Sequence, residues 1–168
     1  QKLIDQVDYK SYLEQDLIIT SGEQVTVGLL SMILNKEGIK STPLLGWQVP
    51  IITNSNYEKA RILNIDNSQI LNCFKNHDVV VLAGFQGIST EGMITSLGRG
   101  GSDTTAVAIA ASLQALRCDI YTDVDGVYST DPNIDSNAKK IDKISYEEML
   151  EMSSMGAKVL QTRSVELA

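Results

Sequence analysis

The run Leu97-Gly98-Arg99-Gly100-Gly101-Ser102-Asp103-Thr104-Thr105 holds the densest chemistry in this sequence. Its glycines let the backbone turn tightly and approach a ligand with no Cβ in the way. Ser102 or Asp103 is placed to cap the helix predicted after it over 106–116. The first N–H groups of such a helix lack internal partners and make a ready anion site. Arg99 adds a planar donor fork that suits a carboxylate or a phosphate. Glycine loops also serve simply to pack a helix on a sheet, but an Arg, a Ser and an Asp beside the glycines favour the anion site. The run is not a Walker loop, since no Gly-Lys-Ser/Thr follows, nor a dinucleotide fingerprint, since Asp103 stands where the third glycine would be.

A second polar cluster is Tyr121-Thr122-Asp123-Val124-Asp125-Gly126-Val127-Tyr128-Ser129-Thr130-Asp131-Pro132. A strand over 119–124 that turns at Asp125-Gly126 would carry polar side chains at its carboxyl edge, where open parallel sheets bind ligands. Asp-Gly and Asp-Pro are also ordinary turn chemistry, and taken alone this segment supports either reading. Glu23 follows Gly22 at what reads as a strand-to-helix junction, where an acidic residue also suits the helix dipole. Lys158 follows Gly156-Ala157 at a predicted helix start, where a cation is locally unfavourable and function is the better explanation. His77, Trp47 and the methionines read as surface or packing residues.

Alternating strand and helix signals must position these groups. Residues 1–15 read as a weak helix and 17–20 as a short strand. Gly22 then opens a helix, with Val25, Leu29, Leu30, Ile33 and Leu34 on one face, stopped by Gly38. Strands follow at 43–45, 49–53 and 61–65, and then a helix at 69–75. The continuous apolar run at 78–85 is of the kind a strand buried on both faces requires. A glycine-rich loop leads to the helix at 106–116, and the stretch 125–137 is a polar loop. Ser145-Tyr146-Glu147-Glu148 is a capping box that starts a helix to about 153. Gly156 opens a last helical segment. This alternation predicts a single α/β domain, a layered sandwich with a mainly parallel sheet.

The 168 residues carry 14 Lys+Arg against 21 Asp+Glu, a net charge of −7, which argues against nucleic acid or an anionic membrane as main partner. A composition 43% hydrophobic and 21% charged is that of a globular protein rather than a disordered one. The longest apolar stretches, at 79–85 and 106–113, fall short of a bilayer span. Cys73 and Cys118 lie far apart, so a disulfide scaffold or zinc site is not expected and a reducing cytoplasm fits.

Read together, Gly22-Glu23, Gly46-Trp47-Gln48, Gly84-Phe85-Gln86-Gly87, the run from Leu97 to Thr105, the Thr-Asp-Val-Asp-Gly-Val-Tyr block and Gly156-Ala157-Lys158-Val159-Leu160 resemble the catalytic domain of aspartate kinase, in the amino-acid kinase superfamily. The resemblance runs over about 17–168 with the motifs in family order. It implies a three-layer α/β/α fold and ATP-dependent phosphorylation of the L-aspartate β-carboxylate. That reaction is the first step toward lysine, threonine and methionine. It also implies Mg2+ bound through the ATP phosphates and a homo-oligomer in the full-length protein. Carried over by position, Arg99 resembles the arginine holding a substrate carboxylate. Glu23, Gly100, Gly101, Ser102 and Asp103 resemble the lining of the aspartate site, with Asp103 also organising phosphoryl transfer. Thr122, Asp123, Tyr128 and Asp131 fall on the nucleotide loop, and Lys158 with Val159 on a later ATP-contacting segment.

Against the family pattern, the opening Lys-Phe-Gly-Gly strand and the C-terminal regulatory ACT domains are not in this chain. It therefore reads as a partial catalytic domain over 1–168, expected to be catalytically silent by itself. Asn133 stands where arginine is usual, and Gln161-Thr162 where His-Pro is common. The rival readings are an acetylglutamate- or uridylate-type kinase of the same superfamily, and a non-catalytic ligand-binding subunit.

Overall fold

A computed structural model of the chain describes residues 4–7, 9, 11–157 and 159–168. After a 3-10 turn at Ile4–Gln6, helix α1 runs unbroken over Tyr12–Lys36. The strand expected at 17–20 is therefore helical, and Gly22 opens nothing: a Cβ there would meet no atom within 4 Å. The cause is tertiary. Asp16, Thr20, Val27 and Ser31 recur at helical spacing and are buried, and such packing overrides the β preference of Ile18, Ile19 and Thr20. The face predicted to be apolar core is mostly outside, with Val25, Leu29, Leu30 and Ile33 exposed and Leu34 half-buried. With a mean hydropathy of 1.6, α1 is long and apolar enough to cross a membrane, contrary to the sequence expectation. Its polar groups nonetheless bind the domain: the buried Ser31 and Ser41 hydroxyls lie 3.0 Å apart, and Asn35 donates to the Ser41 carbonyl.

Strand β1 (Ser41–Leu44) pairs in parallel with β4 (Val79–Leu82). A second sheet has the order β3-β2-β5-β6, from β2 (Ile51–Thr53), β3 (Ile62–Ile65), β5 (Gln86–Ser89) and β6 (Ile94–Ser96). Its β2–β5 pair is parallel, while β2–β3 and β5–β6 are antiparallel. Helices α2 (Ser68–Cys73), α3 (Gly101–Ser112), α4 (Tyr146–Ser154) and α5 (Thr162–Leu167) complete an α/β architecture. Leu44, Val49, Ile51 and Ile70 form the core, against which Val80, Leu82, Ile109 and Leu113 pack. Each such side chain, fully buried, contributes about 1.5–3 kcal/mol.

Four further expectations are corrected. β4 is half-buried rather than covered on both faces, because β1 is its only strand neighbour among the described residues. The segment 86–96, read as loop, is the β5–β6 hairpin, whose buried positions are largely polar (Gln86, Ser89, Thr95, Ser96). No strand forms at 119–124 among the described residues. That run has no neighbour to supply a ladder, and Tyr121 is 93% exposed. Gly156, with φ +108, follows the C-cap of α4 instead of opening the last helix, which starts at Thr162. The capping box at Ser145 and Glu148 forms as expected.

Candidate functional site

Helix α3 starts at Gly101, earlier than predicted. Its N-cap is Gly100, in the left-handed region at φ +71, so neither Ser102 nor Asp103 caps it. Gly101 N–H donates to the Gly98 carbonyl and Thr104 N–H to that of Gly100. No acceptor for the amides of Ser102 and Asp103 occurs among the described residues. They are the open donors of a helix N-terminus, aimed where an anion would sit.

The loop in front of that terminus is closely held. A Cβ at Gly101 would stand 2.9 Å from the side chains of both Leu97 and Phe85, and one at Gly98 would stand 2.5 Å from the Glu58 carbonyl oxygen. Phe85 adopts φ +68, and its N–H donates to the Thr105 hydroxyl at 3.1 Å. Arg163 of α5 donates to the Leu97 carbonyl at 3.2 Å, and Gln161 packs against Gly100. Inside the domain, the Asp16 carboxylate accepts from Ser96 and Glu58. Held within this frame, Arg99 is exposed and forms no ion pair among the described residues, so its fork is available.

Two cavities flank α3. On one side, Ser102, Thr105, Ala106 and Ile109 join Glu23 of α1, Leu82 and Gly84 around a cleft of about 320 Å3. Glu23 and Ser102, far apart in sequence, are thus brought together. Gly84 lets the chain pass close by, since its Cβ would lie 3.3 Å from Ser102 Cα. On the other side, Asp103 and Val107 line a largely apolar cavity of about 420 Å3 closed by Met149, Leu160 and Val165. The helical period therefore turns Asp103 away from the Glu23 cleft. Burial pushes its carboxyl above the ordinary range, and Asp103 also helps raise the Cys118 thiol, although burial is the larger cause.

The residues assigned to the nucleotide segment lie on the irregular chain after α3. Thr122 and Asp123 are exposed and bonded to one another at 3.2 Å. The Tyr128 hydroxyl donates to Asp125 at 2.9 Å, which holds its proton and raises its pKa. Asp131 accepts from the Asn133 amide at 2.8 Å, so Asn133 is engaged in a local turn. Tyr128 pairs with Lys140 in a β-bridge that closes the loop. Val159 is half-buried, and Lys158 lies outside the described residues. The helix start on which the argument for Lys158 rested is at Thr162. None of Thr122, Asp123, Tyr128, Asp131 and Val159 lines either cavity, although their neighbours Ile120, Val127 and Leu160 line the larger.

Sequence reasoning missed Asp16 and Arg163, and it held Gly84 and Thr105 only as members of motifs with no role of their own. Asp16 was hidden by the expectation of a helix break beside it, while Arg163 acts through contacts that no local pattern encodes. Among the described residues no group of three His, Cys, Asp or Glu side chains could hold a metal.

The sequence matches the family described as "Amino acid kinase family" over residues 3–168. It is 58% identical over 155 residues to "Aspartate kinase" of Pseudomonas fluorescens (strain SBW25), covering 92% of this chain and 38% of that protein. It is 51% identical over 161 residues to "Aspartokinase" of Geobacillus stearothermophilus, covering 96% of the chain and 40% of the relative. The chain thus spans well under half the length of these relatives. Among solved structures, E. coli aspartokinase III in complex with aspartate and ADP superposes with a TM-score of 0.87 at 34% identity, over 96% of this chain and 37% of that one. Aspartate kinase from Synechocystis gives 0.80 at 42% identity, over 99% and 28%.

Proposed function

Because the chain belongs to the amino acid kinase family, we propose that it forms the core of an aspartate kinase catalytic domain, a phosphotransferase that moves the γ-phosphoryl group of ATP to the β-carboxylate of L-aspartate. The observation that carries this reading is the cleft shared by Glu23 and Ser102 at the start of α3, where two amides are open; Arg99, two residues before the helix, is exposed and lines neither cavity. An amino-acid acceptor brings an ammonium and two carboxylates. Glu23 suits the first, and Arg99 with the open amides of Ser102 and Asp103 suits the others. The solved E. coli relative, 34% identical, is in complex with aspartate and ADP, which supports the same pair of ligands here.

Phosphoryl transfer asks the protein for positioning and fixed charge more than for covalent chemistry. Arg99 orients the acceptor carboxylate, and the N-terminal amides of α3 receive negative charge as it moves. Asp103 is assigned to the transfer centre by the family resemblance, with its side chain on the opposite flank of α3 from the Glu23 cleft. Thr122, Asp123, Tyr128, Asp131, Lys158 and Val159 take ATP. Mg2+ supplies charge neutralisation when bound on the phosphates. The carboxylates of the described residues lie scattered, which fits a cation carried by the nucleotide rather than one caged by protein. The full-length protein works in the cytoplasm as a homo-oligomer, with neither nucleic acid nor membrane as partner. The net charge of −7 and the docking of α1 support these last points.

In the full-length protein, Arg99→Ala should raise the KM for aspartate far more than that for ATP. The lost charge-assisted pair costs about 2–3 kcal/mol, or roughly 30–150-fold. An unchanged aspartate KM with a raised ATP KM would reverse the two half-sites, and ligand binding with no turnover in the parent protein would favour a binding subunit.

A further inference from the structure

We propose that Asp16 is a positioning residue for the acceptor site, setting from inside the domain the backbone that carries Arg99. This rests on the reading of Arg99 given above. Asp16 is fully buried in α1. Its carboxylate accepts from the Ser96 amide at 2.7 Å and the Ser96 hydroxyl at 2.7 Å. It also accepts from the Glu58 amide, at 3.0 and 3.1 Å to its two oxygens. No cation pairs with it among the described residues. A carboxyl group without a counter-ion is a costly group to bury for packing alone, and here all the hydrogen bonds it accepts converge on one place.

That place is the entry to the glycine loop. Ser96 ends β6 and precedes Leu97 and Gly98, while Glu58 sits in the left-handed region at φ +65. The Glu58 carbonyl is the wall against which Gly98 turns, since a Cβ on Gly98 would stand 2.5 Å from that oxygen. The Ala60 amide donates to the Ser96 carbonyl at 2.9 Å and closes the ring of contacts. One carboxylate thus fixes both the strand end that feeds the loop and the wall on which it folds. Arg99 is the next residue after the turn. A neutral amide at position 16 would set an N–H2 against donors and free both segments to shift.

The test uses the full-length protein with two variants of α1. Asp16→Asn alters the carboxylate at nearly constant volume. Asn35→Ala removes three part-buried bonds from the same helix, to Ser31 and Ser41, none of which touches the loop. Steady-state kinetics for aspartate and ATP are read beside the melting temperature. Misplacing a binding group by a fraction of an ångström to 1 Å costs about 10- to 100-fold, so Asp16→Asn should raise the aspartate KM by that factor with ATP KM near its parent value. Asn35→Ala should lower the melting temperature and leave both KM values unchanged. If Asp16→Asn fails to fold, Ser96→Ala removes only the hydroxyl donor and should raise the aspartate KM about 2- to 10-fold. Equal rises in both KM values, or a loss of melting temperature with aspartate KM unmoved, would overturn the proposal. If the parent protein turns over a different acceptor, the aspartate kinase reading fails, and the same split measured with that acceptor still decides the role of Asp16.

Discussion

Gly100→Ala tests the loop geometry most sharply, because the structure gives two separate reasons for it to fail. Position 100 holds φ +71 at the N-cap of α3, a conformation that costs a residue with a Cβ about 1–2 kcal/mol. The new methyl would also overlap the Gln161 Cγ and stand 2.7 Å from its Cβ. Forcing such an overlap in a packed region adds about 1–3 kcal/mol, even where a flexible side chain yields. The expected loss is therefore about 2–5 kcal/mol, the sum of those two ranges. Urea unfolding of Gly100→Ala, Gln161→Ala and the double variant separates the causes. Truncating Gln161 should return part of the overlap cost as a coupling energy of about 1 kcal/mol or more, leaving the backbone strain behind. The aspartate KM should rise with the loss, since the amides of Ser102 and Asp103 follow this turn. A cost of Gly100→Ala below about 0.5 kcal/mol, the noise of additive surface changes, with no coupling to Gln161, would refute the packing of α5 on the loop.

Burial raises the Asp103 pKa above its ordinary 3.8. A raised acid binds its proton more tightly in the folded state, so the ionised group weakens the fold at neutral pH and the penalty fades as pH falls below both values. Asp103→Asn should therefore raise the melting temperature at pH 7, with the gain gone below about pH 3.8 and turnover reduced about 100-fold or more. Lower stability than the parent at pH 7 would contradict this sign. At α4, Ser145→Ala breaks the capping box and should cost about 1 kcal/mol in urea unfolding. The Glu148 carboxyl, held below its ordinary 4.5 by the Ser145 amide and hydroxyl, contributes stability present above 4.5 and lost as pH falls through its folded value. Glu148→Gln should flatten that acid limb, and an unchanged pH profile would show that the box does not persist in solution.

The parts of the fold legible from sequence are those with local causes. The capping box at Ser145 announces itself by spacing alone, as does the apolar run of β4. The glycine run from Gly98 to Gly101 declared an anion site, and the start of α3 there bears on the same chemistry. What stayed hidden depends on partners remote in the chain. Ile18, Ile19 and Thr20 read as a strand because nothing local reveals that Asp16 and Thr20 are anchored inside the domain. The β5–β6 hairpin is not legible in the sequence because its buried face uses polar groups, such as the Thr95 hydroxyl 2.6 Å from that of Thr53, in place of alternating apolar residues. The pattern at 119–124 predicted a strand that its surroundings do not pair. At the site, residue types pointed to Arg99 and Ser102 and the family resemblance to Glu23, whereas the opposite facing of Ser102 and Asp103 needed the true start of α3.

The most direct measurement is ADP release by the full-length protein with Mg-ATP and a single acceptor at a time, the product being trapped with hydroxylamine. L-aspartate should drive ADP release with an equal yield of hydroxamate, the signature of an acyl phosphate, and Arg99→Ala should abolish most of it at low aspartate. N-acetylglutamate and uridylate should give only background. ADP release that ignores aspartate, or that follows one of the other two acceptors, would contradict the assignment of the Glu23–Ser102 cleft to aspartate.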